Sequence, residues 1–468
     1  MNKMNPAKEI WRMYGARQLL IEKATRKRYP KQWVQTGSWV KEKNGLKSSI
    51  HRKSTIVAKN GERGHFIYDS PILLALQSVP NQYRMGLAVI SSAQGALNFG
   101  FGVIVPVLPT FAASTLGLGA TGVGFVLAVP ALMRVALNAT AGRLSDRIGR
   151  IPMMTFGEFI AALGIIGTGI SGGFLDMVCA RSVLGVGGAA ATAGSSAWTA
   201  DLTSLRSVRP HRGVIMGTMG AITSASWVLG PAVGGLLCDL VGQTNLFAGV
   251  GFLATTCSIA YAFCVPEVEK SHLSTHLINK QQNTQSLFSY PLQRAAIIAN
   301  AALAANYAVA LSVLPLQYTI IANASTLEIG CLFSAMAGMG ILGGPISGAV
   351  SDRYGRAFVV APGLTICALG NLALAAAPDA NTFIIAALIL GAGEAVAAPA
   401  ISAASADAAP SHRRSEALAL SRTATDLVFV ALPPIMGLAA DGYGGYLPFT
   451  AVSAASALAA MHAAKCLR

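Results

Sequence analysis

Charged residues are scarce in this 468-residue chain: only 12% of its residues are Asp, Glu, Lys or Arg, and only 20 are acidic. Hydrophobic residues make up 53% of the chain, and the mean hydropathy is +0.53. A disordered scaffold, a collagen and a coiled coil each need a different composition, so these classes are excluded. The sequence therefore predicts an all-α integral membrane protein with many spanning helices.

Motifs that indicate an enzyme or a nucleotide-driven pump are also missing. The seven cysteines include no CxxC pair, which argues against a zinc site and a disulfide frame. The sequence has no phosphate loop of the Gly-Lys-Ser/Thr type, and GLGATG at 117–122 joins two membrane helices instead of following a strand. We expect no enzymatic activity, no metal site and no cofactor.

Twelve apolar stretches are long enough to cross a bilayer, which takes about 20 residues at a rise of about 1.5 Å each. They lie near 86–111, 120–141, 152–171, 174–200, 214–237, 244–265, 294–320, 328–349, 357–377, 381–406, 416–440 and 445–465. The one long polar gap, 267–293, divides them six and six. We expect a six-helix bundle from 86–266, a linker at 267–293 and a second bundle from 294–468.

Basic residues follow the even-numbered spans. They are Arg143, Arg147, Arg150, Arg206, Arg209, Arg212, Lys270, Lys280, Arg294, Arg353, Arg356, Arg413 and Arg414. The opposite loops contain only acids, namely Asp239, Glu328, Asp379 and Asp441. Since short cytoplasmic loops are enriched in Lys and Arg, both termini and the linker are predicted on the cytoplasmic side of the plasma membrane or of an organelle membrane.

An internal repeat relates the two bundles. GRLSDRIGR at 142–150 recurs as GAVSDRYGR at 348–356, an offset of 206. At the same offset, 107–109 aligns with 313–315 and Asp201 with Asp407. At an offset of 202, Pro231 aligns with Pro433, Gly235 with Gly437 and Asp239 with Asp441. Such a repeat is typical of transporters built from two related halves.

The repeated motif resembles the loop 2–3 signature of the major facilitator superfamily, and the chain resembles its twelve-span drug:proton antiporters over about 86–466. The resemblance implies a two-bundle fold without enzymatic activity and a cytoplasmic gate. The gate residues are Gly142, Asp146, Arg147, Gly149 and Arg150, and in the second copy Gly348, Asp352, Arg353, Gly355 and Arg356. The alternative is that these arginines only fix the topology.

Two further segments resemble motifs of the same family. RSVLGVGGAA in the fourth span implies a coupling role for Arg181, although Leu184 stands where the family has Gln. The alternative is that the Arg181 side chain snorkels to the membrane interface. The fifth span resembles the antiporter signature through Gly217, Gly230, Pro231, Gly234 and Gly235, with Ser226 in place of a glycine. Its small residues would pack the fifth span on the eighth, and ordinary helix packing alone also explains them.

Acidic residues inside spans are the candidates for proton coupling because a charge in lipid is costly. Glu394 lies in the middle of the tenth span and Asp426 in the middle of the eleventh. Asp426 also follows Arg422 by four residues, so a structural ion pair within one helix is the alternative. Glu158 and Arg134 are weaker candidates, with interfacial snorkelling as their alternative.

The first span has no ionisable residue, which argues against a dedicated monoamine carrier. Asn98 in this span, with Asn306 and Gln317 in the seventh, is a candidate to line a cavity for a neutral or zwitterionic ligand. Hydrogen bonding between helices is their alternative role.

Residues 1–85 contain 17 Lys and Arg against 5 Asp and Glu, so most of the net charge of +15 lies in this extension and does not indicate nucleic-acid binding. A transit peptide, a segment on anionic lipid and a plain cytosolic extension all remain open.

These features favour a transporter that moves a small organic solute by alternating access. We predict proton-coupled antiport by a monomer, with protons and the lipid bilayer as its other partners. Alternatives are an organellar facilitator or symporter of a native metabolite, and a sensor without transport activity.

Overall fold

The computed structural model describes residues 71–268, 290–408 and 414–467. The expectations for residues 1–70, for Arg413 and for most of the 267–293 linker lie outside the described residues.

The described residues form fourteen α-helices and one short 3₁₀ turn, Arg209–His211. The first half contains α1 Pro71–Ser78, α2 Asn81–Ser114, α3 Ala120–Ile148, α4 Arg150–Gly169, α5 Phe174–Ser204, α6 Arg212–Val241 and α7 Gln243–Cys264. The second half contains α8 Pro291–Ser312, α9 Leu314–Ala322, α10 Thr326–Tyr354, α11 Ala357–Ala376, α12 Ala380–Asp407, α13 Arg414–Tyr443 and α14 Tyr446–Cys466. Twelve of the helices are long and apolar enough to cross a membrane, which confirms the predicted all-α membrane fold.

Several helices extend beyond the expected spans, and α3 continues to Ile148 instead of 141. Two other differences occur at prolines. The first span starts at Asn81 instead of 86, directly after Pro80, and the eight-residue α1 precedes it. Arg84 lies inside this span, where its Nε and Nη2 donate to the carbonyls of Val79 and Gln77 at 3.0 and 3.1 Å. The seventh span is interrupted between α8 and α9, because Pro315 cannot donate the backbone hydrogen bond that a continuous helix needs.

Each half has two hydrophobic clusters of its own. In the first half they centre on Phe111 and Phe247 and on Trp198 and Tyr261. The corresponding clusters of the second half centre on Phe383 and Phe449 and on an alanine-rich contact of α8, α11, α12 and α14. The halves meet mainly along two helix pairs, α3 with α13 and α6 with α10.

The two ends of these helix pairs differ. We call the end with the loops 148–150 and 354–357 the arginine-rich face, and the other end the opposite face. Near the opposite face, glycines bring the backbones of the two halves into direct contact, so that a Cβ at the glycine would overlap its partner. These contacts are Gly124 with Pro433, Gly437 with Ala120, Gly330 with Pro231 and Gly235 with Thr326.

Toward the arginine-rich face the same helices are apart. Among the described residues, no heavy atom beyond the adjoining turns of the same helix lies within 4 Å of a Cβ built at Gly142, Gly217, Gly220, Gly340 or Gly348. The molecule is therefore closed at the opposite face and open at the arginine-rich face.

Candidate functional site

Three adjoining cavities lie between the two halves. The Glu394 chamber has a volume of about 530 Å³ and is lined by Glu394, Tyr307, Trp227, Phe333, Met336 and Phe429, among others. A passage of about 190 Å³ shares Trp227 and Phe429 with the chamber. A vestibule of about 800 Å³ shares Phe101 and Arg134 with the passage and includes Gly142 near the arginine-rich face. Together the cavities form a route from the open face to the middle of the bundle.

Among the described residues that line the chamber, Glu394 is the one charged side chain. It lies midway along α12 and is 7% exposed. Its Oε1 is buried without a hydrogen-bond partner in the part of the chain that the structure describes. A buried carboxylate without a partner is unstable as an anion, so this oxygen is placed to hold a proton or a cationic ligand.

Arg134 and Arg181 line the passage between the chamber and the vestibule. The Arg181 Nε donates to the backbone oxygen of Val126 on α3 at 3.2 Å. Since Arg181 is only 8% exposed, it does not extend to the interface. It lies at the passage, as expected for a residue that faces a polar cavity.

Asp426 pairs with a residue of the other half. Its Oδ1 lies 3.2 Å from Nη2 of Arg134, and the two side chains are 18% and 36% exposed. Arg422, the alternative partner expected from the sequence, lines the vestibule with Asp426 but forms no ion pair with it among the described residues. The ion pair therefore joins α3 to α13, 292 residues apart in sequence.

The polar candidates of the first and seventh spans occupy different places. Asn98 lines the vestibule, and its Nδ2 donates to the Gln94 carbonyl at 2.7 Å. Asn306 is fully buried away from the three cavities; its Nδ2 donates to Ser456 Oγ at 3.0 Å, and its Oδ1 accepts from Asn371 Nδ2 at 2.5 Å. These bonds match the alternative role of hydrogen bonding between helices.

Gln317 is also absent from the residues that line the three cavities. It lies on α9 directly beside Gly445, where a Cβ would overlap the Gln317 amide. We therefore expect Gln317 to support the start of α14 rather than a ligand.

The first copy of the gate motif forms a network within its own half. Arg150 Nη1 donates to Asp146 Oδ1 at 2.5 Å, and Arg150 Nε donates to Asp201 Oδ2 at 3.0 Å. Glu267, just after α7, accepts the backbone N–H groups of Arg150 and Ile151 at 2.6 and 3.2 Å. The start of α4 is thereby tied to the end of the first half.

The second copy repeats this geometry. Arg356 Nη1 donates to Asp352 Oδ1 at 2.5 Å, and Arg356 Nε donates to Asp407 Oδ2 at 3.0 Å. These carboxylates, first of all the hydrogen-bonded Asp352, raise the pKa of the Arg356 guanidinium above its usual value. The aligned aspartates Asp201 and Asp407, noted in the repeat but not as gate residues, thus belong to the two networks.

Glycines give both copies their turns. Gly149 and Gly355 have φ values of +106° and +95°, a region that side chains rarely adopt. Arg147 and Arg353 are exposed, and the Arg353 guanidinium lies 5.4 Å from the centre of the Tyr354 ring. The motif glycines Gly142 and Gly348 do not bring helix ends together in this open state.

The antiporter motif packs on two helices. Gly230 and Gly234 contact α2 at Gly102 and Val103, and Gly235 contacts the start of α10. The carbonyl of Pro231 lies against Gly330 of α10, whereas Gly217 has open space around it. The expected packing of the fifth span on the eighth is present, and the first span is a second partner of the motif.

The sequence matches a known family model and several curated proteins. The model described as "Major Facilitator Superfamily" matches residues 90–319 and 296–468. A multi-drug resistance efflux pump, the PmrA homolog of Lactococcus lactis subsp. lactis (strain IL1403), is 25% identical over 74% of this chain and 85% of its own length. Multidrug resistance protein 1 of Bacillus subtilis (strain 168) is 26% identical over 41% of this chain, and the match spans 47% of that protein, about half its length.

Solved structures share the fold. A bacterial homologue of the human lysosomal transporter Spinster, in an inward-facing and occupied conformation, superposes with a TM-score of 0.70 at 14% identity, over 82% of this chain and 97% of that one. A D-xylose-proton symporter gives a TM-score of 0.67 at 16% identity, over 82% and 98%. At these identities the likeness concerns the arrangement of the helices alone.

Proposed function

Since the chain belongs to the Major Facilitator Superfamily, we propose that it is a secondary active transporter that exchanges protons for a lipophilic organic cation by alternating access. The observation that carries this proposal is the unpartnered Glu394 carboxylate in an otherwise uncharged chamber. The names of its relatives, which include multidrug efflux pumps, agree with a small organic substrate.

The chamber suits a cation better than an anion or a neutral solute. Trp227, Tyr307, Phe333 and Phe429 surround one carboxylate, and aromatic faces attract a cation that has left water. A proton and an organic cation can each neutralise Glu394, but both cannot do so at once. This competition for one carboxylate is the simplest basis for exchange.

Asp426 is placed to connect events in the cavities with movement of the halves. Its ion pair with Arg134 spans the contact between α3 and α13. Separation of these two helices would break the attraction and leave the Arg134 charge in the passage, where Arg181 already lies. We therefore assign Asp426 and Arg134 to coupling, with Arg181 shaping the charge of the passage, and Glu394 to binding.

The open face is assigned to the cytoplasm because it carries the basic loops. We place both termini and the 267–293 linker on this side. The gate motifs at 142–150 and 348–356 would then close the cytoplasmic face when the opposite face opens. All three cavities lie between the halves of one chain, which supports a working monomer.

The test uses the full-length protein in sealed liposomes with an acidic lumen. Ethidium, an aromatic monocation, should trigger a rise in lumenal pH, whereas benzoate should not. Glu394→Gln should weaken ethidium binding by about 30-fold or more, because a buried cation loses its charge partner. Asp426→Asn should keep binding but lose the pH response.

The matched control is Glu328→Gln, which changes an exposed acid outside the cavities and keeps the Ser-x-x-Gln pattern of a helix cap. It should behave as wild type. If ethidium equilibrates across the membrane while the lumenal pH stays constant, the protein is a facilitator and the antiport proposal is wrong.

A further inference from the structure

A second buried carboxylate lies in the first half of the molecule. Glu158 is on α4 and is 7% exposed. It lies eight residues after the start of α4, about 12 Å along the helix axis, so its burial excludes the interfacial position that the sequence left open. Its side chain forms part of the wall of the vestibule. The vestibule and the chamber thus contain one buried glutamate each, from different halves.

The groups that face Glu158 do not neutralise it. Tyr261 and Cys257 approach it from α7. Arg134 of α3 lines the same vestibule but pairs with Asp426 of α13, and Arg422 of α13 lines the vestibule as an exposed side chain. In the described part of the chain, Glu158 takes part in none of the ion pairs.

The surroundings of the two glutamates predict different partners. The chamber around Glu394 is bounded by aromatic side chains and can enclose an organic cation. Gln94, Asn98, Asn138, Thr192 and Ser195 line the vestibule around Glu158, which opens toward the arginine-rich face. A cavity of about 800 Å³ with these polar groups on its wall has room and hydrogen-bond partners for water, which can deliver or accept a proton without an organic ligand.

We propose that Glu158 is a second proton-binding site, so that two protons move in exchange for one organic monocation; this rests on the proposed exchange at Glu394. In the state open to the opposite face, each glutamate takes up one proton. In the state open to the arginine-rich face, Glu158 releases its proton to the vestibule, and Glu394 releases its proton when the cation binds. Each cycle then moves one net positive charge in the direction of the protons.

The test measures the stoichiometry in sealed liposomes. For two protons per ethidium, the accumulation ratio at equilibrium changes about a hundredfold per pH unit and responds to a membrane potential set with potassium and valinomycin. Glu158→Gln should reduce the dependence to about tenfold per pH unit and remove the response to potential. Its ethidium binding and its ethidium/ethidium exchange without a pH gradient should stay at the wild-type level.

Two variants separate a proton site from a structural role. Glu158→Asp should keep the ethidium accumulation ratio changing about a hundredfold per pH unit, because the carboxylate remains. Glu328→Gln should keep the wild-type stoichiometry. A merely structural role of Glu158 predicts instead that Glu158→Gln lowers binding and exchange together and leaves the stoichiometry unchanged, which would overturn the proposal.

Measurements on the wild-type protein alone also test whether a second proton site exists, even when Glu158→Gln does not fold. If the wild-type protein exchanges one proton per ethidium and does not respond to the membrane potential, the second proton site is contradicted. The proposed exchange at Glu394 would still hold. A wild-type protein whose ethidium transport moves no protons contradicts the exchange itself.

Discussion

Corresponding helices of the two halves begin differently at the opposite face. In the first half, α3 and α5 start after Gly119 and Gly173, and neither glycine provides a side-chain cap. In the second half, α10 and α12 start after Ser325 and Asp379, 206 positions later, and both residues form complete capping boxes. The second half thus caps these helix starts with its own side chains, whereas the N-cap glycines of the first half have no side chain with which to do so.

The other half supplies the missing cap of α3. Asp441, at the end of α13, accepts the N–H groups of Ala120 and Thr121 at 2.9 and 2.8 Å and the Thr121 hydroxyl at 2.7 Å. Gly119 leaves room for this carboxylate, since a Cβ there would stand 2.8 Å from Asp441 Oδ2. Asp239, which aligns with Asp441, is exposed at the end of α6. In the helix pair α3 and α13, the cap of α3 therefore comes from the other half and exists only while the opposite face is closed.

The largest expected difference between the halves concerns the arginines of the gate motifs. The Arg150 side chain is 10% exposed and that of Arg356 is 25% exposed. Arg150→Ala should lower the free energy of unfolding by about 2–3 kcal/mol because it leaves the Asp201 charge without its partner in a largely buried site. Arg356→Ala should cost about 1 kcal/mol or less, as solvent screens its more exposed pairs.

The measurement is the melting temperature in detergent, followed with a thiol-reactive dye that reports exposure of the buried Cys238, Cys257 and Cys367. Arg147→Ala, at an exposed arginine of the same loop, serves as the control and should melt as wild type. Equal losses for the two alanine variants would show that the copies contribute alike.

A smaller effect is expected when the cap between the halves is removed. Asp441→Ala should disfavour the closed opposite face by about 1 kcal/mol, roughly a fivefold change in population, because α3 loses its cap. Spin labels at the exposed positions Thr115 and Tyr443 would report a larger share of long distances between the two halves. When Gly119→Asp is added to the Asp441→Ala protein, α3 gains a cap from its own half, and this cap is present whether the opposite face is open or closed. If Asp441→Ala leaves the distance distribution as in wild type, the cap does not influence opening.

The helices and the repeat were predictable from sequence because they depend on local hydrophobicity and on motif copies within one chain. The first span begins at Asn81 instead of 86 and includes Arg84, whose guanidinium donates to nearby carbonyls in a way that the hydrophobicity of the segment does not predict. The partners of Asp426 and Asp441 were not predictable, since both lie in the other half. Asn306 illustrates a further limit: its position in a polar-poor helix does not reveal that Asn371 and Ser456 surround it.

The smallest effect is expected at the cap of α12, where the second half carries a titratable group and the first half has Gly173. The N–H of Thr382 donates to Asp379 Oδ1 at 2.9 Å and lowers the pKa of this carboxylate below its usual value of about 4. A lowered pKa in the folded state means that Asp379 stabilises the protein above about pH 4 and that this contribution disappears as the pH falls toward the lowered value. Asp379→Asn keeps an acceptor that does not titrate, so its melting temperature should lie slightly below that of wild type at pH 6 and approach it below pH ~4. A gap that stays constant down to pH ~3 would show that the charge of Asp379 does not contribute.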